Sequence, residues 1–190
     1  MFNQTFFSET IARIHKSIPK MQLHSTPFAS LDEIVETCRR SHIHLIMIVT
    51  PSYPYDDYRL LSLGYWPLLE QWLHRISKYP NVYTFAQNTL TTEPVIDYMH
   101  YWNDPIHFNL SFGRLMLRSF LGYKDPEMPK NFMLPLNSKT IDGIVRERKR
   151  GIQQWAATHP HFVQIFEKAK RDAGLDDPSL NRPVTSRGGR

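Results

Sequence analysis

The sequence predicts an α/β fold with few strands, and three observations carry that expectation. Ile43-His44-Leu45-Ile46-Met47-Ile48-Val49 is a short, almost unbroken apolar run closed by Pro51, which reads as a strand buried on both faces, the state of parallel strands between helices. Asn81 to Phe85 forms a second short apolar run. Between and around the two, apolar residues recur at the spacing of amphipathic helices. Strand, helix and strand in this order make a βαβ unit with a right-handed crossover. In such sheets ligands gather outside the carboxyl ends of the strands, here residues 50–56 and 86–93.

Each element has its own signal. Ser30 through Glu33 reads as a capping box, and Leu31, Ile34, Val35 and Cys38 follow at helical spacing, predicting a helix over about 30–41. Upstream, Met21 to Phe28 is a weak candidate for an extra strand. Tyr55 to Ser62 and Trp66 to Lys78 are the crossover helices, with Leu68, Leu69, Trp72, Leu73 and Ile76 facing inward and Gly64 as a break. Residues 94–110 read as a loop, followed by a helix from Ser111 to Leu121 ended by Gly122. A turn-rich stretch over 123–138 leads to a long amphipathic helix over about 140–158, with Ile141, Ile144, Val145, Ile152 and Trp155 on one side. Pro160 opens a last helix that finishes at Gly174. The expected division is a partial α/β domain over 1–122, a helical extension over 123–174, and a disordered tail over 175–190 rich in Pro, Ser, Gly and Arg. Two strands are few for an independent sheet. An uncovered edge invites pairing with a second copy or a partner chain.

Composition narrows the classes of function. The chain has 190 residues, 41% of them hydrophobic and 22% charged, so it can bury a core and is expected to fold. Its net charge of +5 comes largely from Arg146, Arg148, Lys149, Arg150 and the final Arg182, Arg187 and Arg190. That run reads as a solvated helix face, and no helix-turn-helix, RNP-type or zinc-finger pattern accompanies it, so nucleic-acid binding is not expected. Cys38, the single cysteine, cannot form an internal disulfide and reads as packing. No stretch approaches the roughly 18 to 20 apolar residues of a membrane span. The opening MFNQTFFSETIARIHK lacks the pattern of a signal peptide. As written the chain is expected in the cytoplasm, or in the periplasm or at a membrane if an upstream export or anchor segment is missing. His42 with His44, and His159 with His161, have the spacing of adjacent ligands but no cysteine or carboxylate support. No metal and no cofactor are expected.

The stretch most suggestive of chemistry is Tyr101-Trp102-Asn103-Asp104-Pro105-Ile106-His107-Phe108-Asn109. An acid three residues before a histidine can hold the imidazole's tautomer and orientation while the ring moves a proton. With Gly113 just inside the following helix, this block resembles the last sequence block of the SGNH/GDSL hydrolases. Over about 30–170 the chain also resembles a group of bacterial SGNH-like proteins. The residues that carry this are Ile48-Val49-Thr50-Pro51-Ser52, Gly64-Tyr65-Trp66, Glu70-Gln71-Trp72, Thr91-Thr92-Glu93-Pro94 and Trp102 through Phe108. The resemblance implies a flavodoxin-like three-layer α/β/α fold and serine esterase or acyl-transfer chemistry on an acylated small molecule, carbohydrate or lipid. It makes His107 the general base and Asp104 its partner.

The chain departs from the family where the nucleophile is concerned. It has no Gly-Asp-Ser block, and the family's serine and oxyanion blocks fall upstream of the matched stretch. Ser52 stands at the end of the first strand, but Pro51 and Pro54 make its surroundings unlike a nucleophile elbow, which favours a structural role or a substrate contact. Glu93, in the loop after the second strand, is a candidate substrate contact or turn cap. Trp102 and Asn103, beside the Asp-x-x-His block, are candidate substrate contacts too, although the aromatic side chain also suits a core. Two expectations therefore stand side by side. One is part of an acyl-ester hydrolase or acyltransferase that lacks its serine half and is not active alone. The other is a non-catalytic remnant or interaction module that pairs through an exposed sheet edge.

Overall fold

The computed structural model describes residues 23–86, 101–103, 107–126, 128–129 and 131–175. Among these residues the elements run α1 (Ser25–Arg40), β1 (Met47–Ile48), α2 (Pro54–Ser62), α3 (Trp66–Ile76), β2 (Val82–Phe85), α4 (Leu110–Phe120), β3 (Met133–Pro135), α5 (Ile141–Thr158) and α6 (Pro160–Asp172). The fold is mixed α/β. One small sheet has the order β1-β2-β3, with β1 parallel to β2 through Met47 opposite Val82. β3 runs antiparallel to β2, with Leu134 opposite Thr84.

Alternation along β2 places helices on both faces of the sheet. Val82 packs in one cluster with Leu73 and Ile76 of α3 and Ile141, Val145 and Ile152 of α5. Tyr83 and Phe85 turn the other way, meeting Phe120 of α4 edge-on at 5.6 and 6.4 Å between ring centres. A second cluster joins Phe85 and α4 to Tyr53, Tyr55, Trp155 and Phe166. Proline in the first turn opens α2, α3 and α6, where its missing N–H goes unused. The Asn109 side chain caps α4 by accepting from the Phe112 N–H at 3.2 Å. Gly174, at φ 69°, ends α6 and lets the Leu175 N–H reach the Lys170 carbonyl at 3.0 Å.

Several expectations need correction. α1 begins at Ser25, so Ser25 to Phe28 is helical rather than strand, and Ser30 lies inside the helix; His24 is the N-cap and makes no side-chain cap bond. The added turn is docked by Phe28, whose ring lies 5.3 Å from the Arg75 guanidinium. The first strand shrinks to two residues and is not buried on both faces: Ile43, Ile46 and Ile48 are 58%, 44% and 44% exposed. β1 is an edge strand among the described residues, and the turn that ends α1 ties the Ile43 N–H to the Cys38 carbonyl, away from the ladder. The stretch read as turns supplies β3. The region set apart as a helical extension thus contributes a strand and, in α5, a wall of the core. Leu175, assigned to the tail, is buried at 3% exposure.

Candidate functional site

Beyond β1 the chain passes Pro51 and Ser52 and turns into α2, whose first turn carries Asp57. That carboxylate is fully buried at 0% exposure. Its Oδ2 accepts from Arg148 Nε at 2.7 Å and its Oδ1 from Arg148 Nη2 at 2.6 Å, the two-pronged geometry that guanidinium and carboxylate favour. The Ser52 hydroxyl donates to Asp57 Oδ1 at 2.7 Å and accepts from Arg148 Nη2. Packing of α5 on α2 brings Arg148 to residues about ninety positions earlier in the chain. Burial alone favours a neutral guanidine, but the Asp57 carboxylate overrides it and holds the Arg148 proton more firmly than usual. Next to this pair, Asp56 bonds Arg59. Burial lifts the Asp56 carboxyl above its ordinary range; the Asp57 charge adds to the effect and Arg59 and Arg148 oppose it.

Ser52 and Arg148 form part of the lining of a cleft of about 490 Å³. One wall comes from the carboxyl ends of the parallel strands: Pro51 and Ser52 after β1, Thr84 and Phe85 in β2, and Ala86. The other comes from α5 and the turn before it, including Lys139, Thr140, Gly143, Ile144, Glu147 and Gln154. The wall is open at Gly143, where a methyl group would meet no atom within 4 Å. Glu147 is occupied by an ion pair with Arg150. A cavity of this size, past the strand ends and with both apolar and polar walls, has the properties of a small-molecule site.

Comparisons of the chain with protein-family models, curated proteins and solved structures find no match. The site is therefore read from its own geometry.

Of the residues singled out in the sequence, Ser52 lines the cleft. Asp104 and Glu93 lie outside the described residues. Trp102 is 0% exposed and packs with Tyr53 at 5.4 Å and Phe112 at 5.5 Å, a core position with no face toward a ligand. Asn103 is exposed, and its N–H donates to the His107 carbonyl at 2.8 Å. With the Trp102–Phe108 bridge, that bond ties Trp102 and Asn103 to His107 and Phe108 ahead of α4. His107 is exposed and is not among the residues that line the cleft. Among the described residues no three His, Cys, Asp or Glu side chains gather as a metal site, and no helix is long and apolar enough to cross a membrane.

Asp57, Arg148, Thr84 and Lys139 escaped the sequence reading. Arg148 had a usable signal: with Val145, Ile152 and Trp155, all buried on α5, it falls at i, i+3, i+7 and i+10. A lone charge on an inward helical stripe calls for a buried partner. The adjacent Arg146, Lys149 and Arg150 hid it within a basic run.

Proposed function

We propose that this chain is the carboxyl-terminal part of an SGNH/GDSL-like α/β domain that binds an acylated ligand in the cleft past β1 and β2, and that it does not turn this ligand over alone. The observation supporting the reading is the state of Ser52. Ser52 lines the cleft, but its hydroxyl is committed to Asp57 and Arg148, and no histidine lines the cleft among the described residues. A serine becomes a nucleophile when an adjacent base takes its proton. A carboxylate already doubly bonded to a guanidinium is a poor base for that task.

The test is hydrolysis of p-nitrophenyl acetate by the purified chain and by its Ser52→Ala and His107→Ala variants. Expected is a rate equal to the uncatalysed background for all three. Turnover by the parent that either substitution abolishes would overturn the non-catalytic part of the reading.

A second reading, pairing with another copy through β1, draws support from the exposed Ile43, Ile46 and Ile48 beside that two-residue edge strand. Light scattering checks it. A dimer that Ile48→Lys converts to monomer supports it, and a monomeric parent removes it.

A further inference from the structure

We infer that the cleft takes a small organic acid, with its carboxylate held by Thr84, Arg148 and, at the rim, Lys139, and its hydrocarbon body against Leu134, Pro135 and Ile144. This deepens the reading of the cleft as the ligand site and does not depend on any chemistry taking place there.

Three features of the lining carry the inference. Thr84 is 5% exposed, yet its hydroxyl has no hydrogen-bond partner among the described residues and it lines the cleft. A hydroxyl without a protein partner that opens on the cleft is available to donate to a bound ligand. Arg148 is nearly buried, with a side chain 13% exposed. It commits Nε and Nη2 to Asp57 and Ser52 and leaves the Nη1 donors unspent among the described residues.

The third feature is the charge of the lining. Asp57 neutralises Arg148, and Arg150 pairs with Glu147. Lys139 is exposed at the rim and has no ion pair among the described residues, so one positive charge is left over. The amino-terminal turn of α5, with Gly143 on the wall, adds a field of the same sign. Among the described residues, donors, one excess cation and no free carboxylate select an anion over a cation. The apolar surface of Leu134, Pro135 and Ile144 selects an organic anion over a bare one, since inorganic phosphate leaves that surface against water.

Octanoate and its neutral counterpart 1-octanol are the probes, titrated into the purified chain and followed by calorimetry. Expected is octanoate binding about tenfold tighter than octanol, the usual gain when a charge-assisted hydrogen bond replaces a neutral one. Thr84→Val keeps the shape of the strand and removes the hydroxyl. It is expected to weaken octanoate about threefold or more without lowering Tm, because no internal hydrogen bond is lost. Lys139→Gln, an exposed change that leaves the fold alone, is expected to weaken octanoate by a similar factor and octanol not at all. Equal binding of the two probes, no binding of octanoate, or octanoate binding untouched by Lys139→Gln would overturn the inference. Ester turnover together with failure to bind octanoate would sink this inference alone. Octanoate binding in the expected pattern with serine-dependent ester turnover would sink only the non-catalytic reading.

Discussion

Arg148 occupies a position on α5 three residues after Val145 and four before Ile152, both buried in the core. Its charge is tolerated there because Asp57 meets it with two hydrogen bonds and Ser52 takes a third. Such a pair adds little net stability over an apolar replacement of both partners, but removing one partner strands the other. Arg148→Met is therefore expected to destabilise the chain by about 3–5 kcal/mol in urea unfolding. Adding Asp57→Leu to that variant is expected to restore part of the loss. A single variant within about 1 kcal/mol of the parent, the range of exposed pairs, would mean that the interaction is not buried in solution. Glu167 presents the same logic on α6. Burial works to raise its carboxyl, but donors on Ser62 at 2.7 Å and Tyr58 at 2.9 Å, together with the Lys170 charge, hold it below the ordinary 4.5. A depressed carboxyl contributes stability above its unfolded value and loses that contribution as pH falls through its folded value. Glu167→Gln is thus expected to flatten the fall of stability with acid below about pH 4.5, the unfolded carboxyl range. A fall as steep as the parent's would show that other groups govern acid unfolding.

At the scale of elements, local signals located the helices and misplaced their ends. α3, α4, α5 and α6 stand close to where apolar spacing, proline and glycine put them. The start of α1 moved because docking of Phe28 against Arg75 and Tyr79 outweighed the capping box at Ser30. Its end is closed by His42 in the left-handed region at φ 54°, which allows the His42 and Ile43 N–H groups to bond Arg39 and Cys38. A side chain in that conformation costs free energy that glycine avoids. His42→Gly is expected to raise stability by about 1 kcal/mol, read from the urea midpoint. A lower midpoint would show that the imidazole makes a compensating contact. β3 was invisible in the sequence for a different reason. Three residues between turns, ending in Pro135, carry no alternation to read. They become a strand only because β2 offers an open antiparallel edge.

For the molecule as a whole, the parallel β1–β2 pair and its crossover helices were legible, and with them the strand ends that form one wall of the cleft. Pro51, Ser52 and Ala86 do line the cleft. Its second wall was not legible, because α5 reaches it through tertiary packing on α2 and α3 and no spacing in the sequence announces that. Trp102 shows the converse. It was prominent in a conspicuous motif, yet the fold uses it to fill the space between Tyr53 and Phe112. The proposed ligand site lies between the strand ends and α5 and excludes the segment that carries His107. Amide chemical shifts recorded while octanoate is added test it most directly. The largest changes are expected at Ser52, Thr84, Ala86, Gly143 and Gly151, with Asn103, His107 and Phe108 unmoved. Changes concentrated at Asn103 through Phe108, with the cleft residues silent, would contradict it.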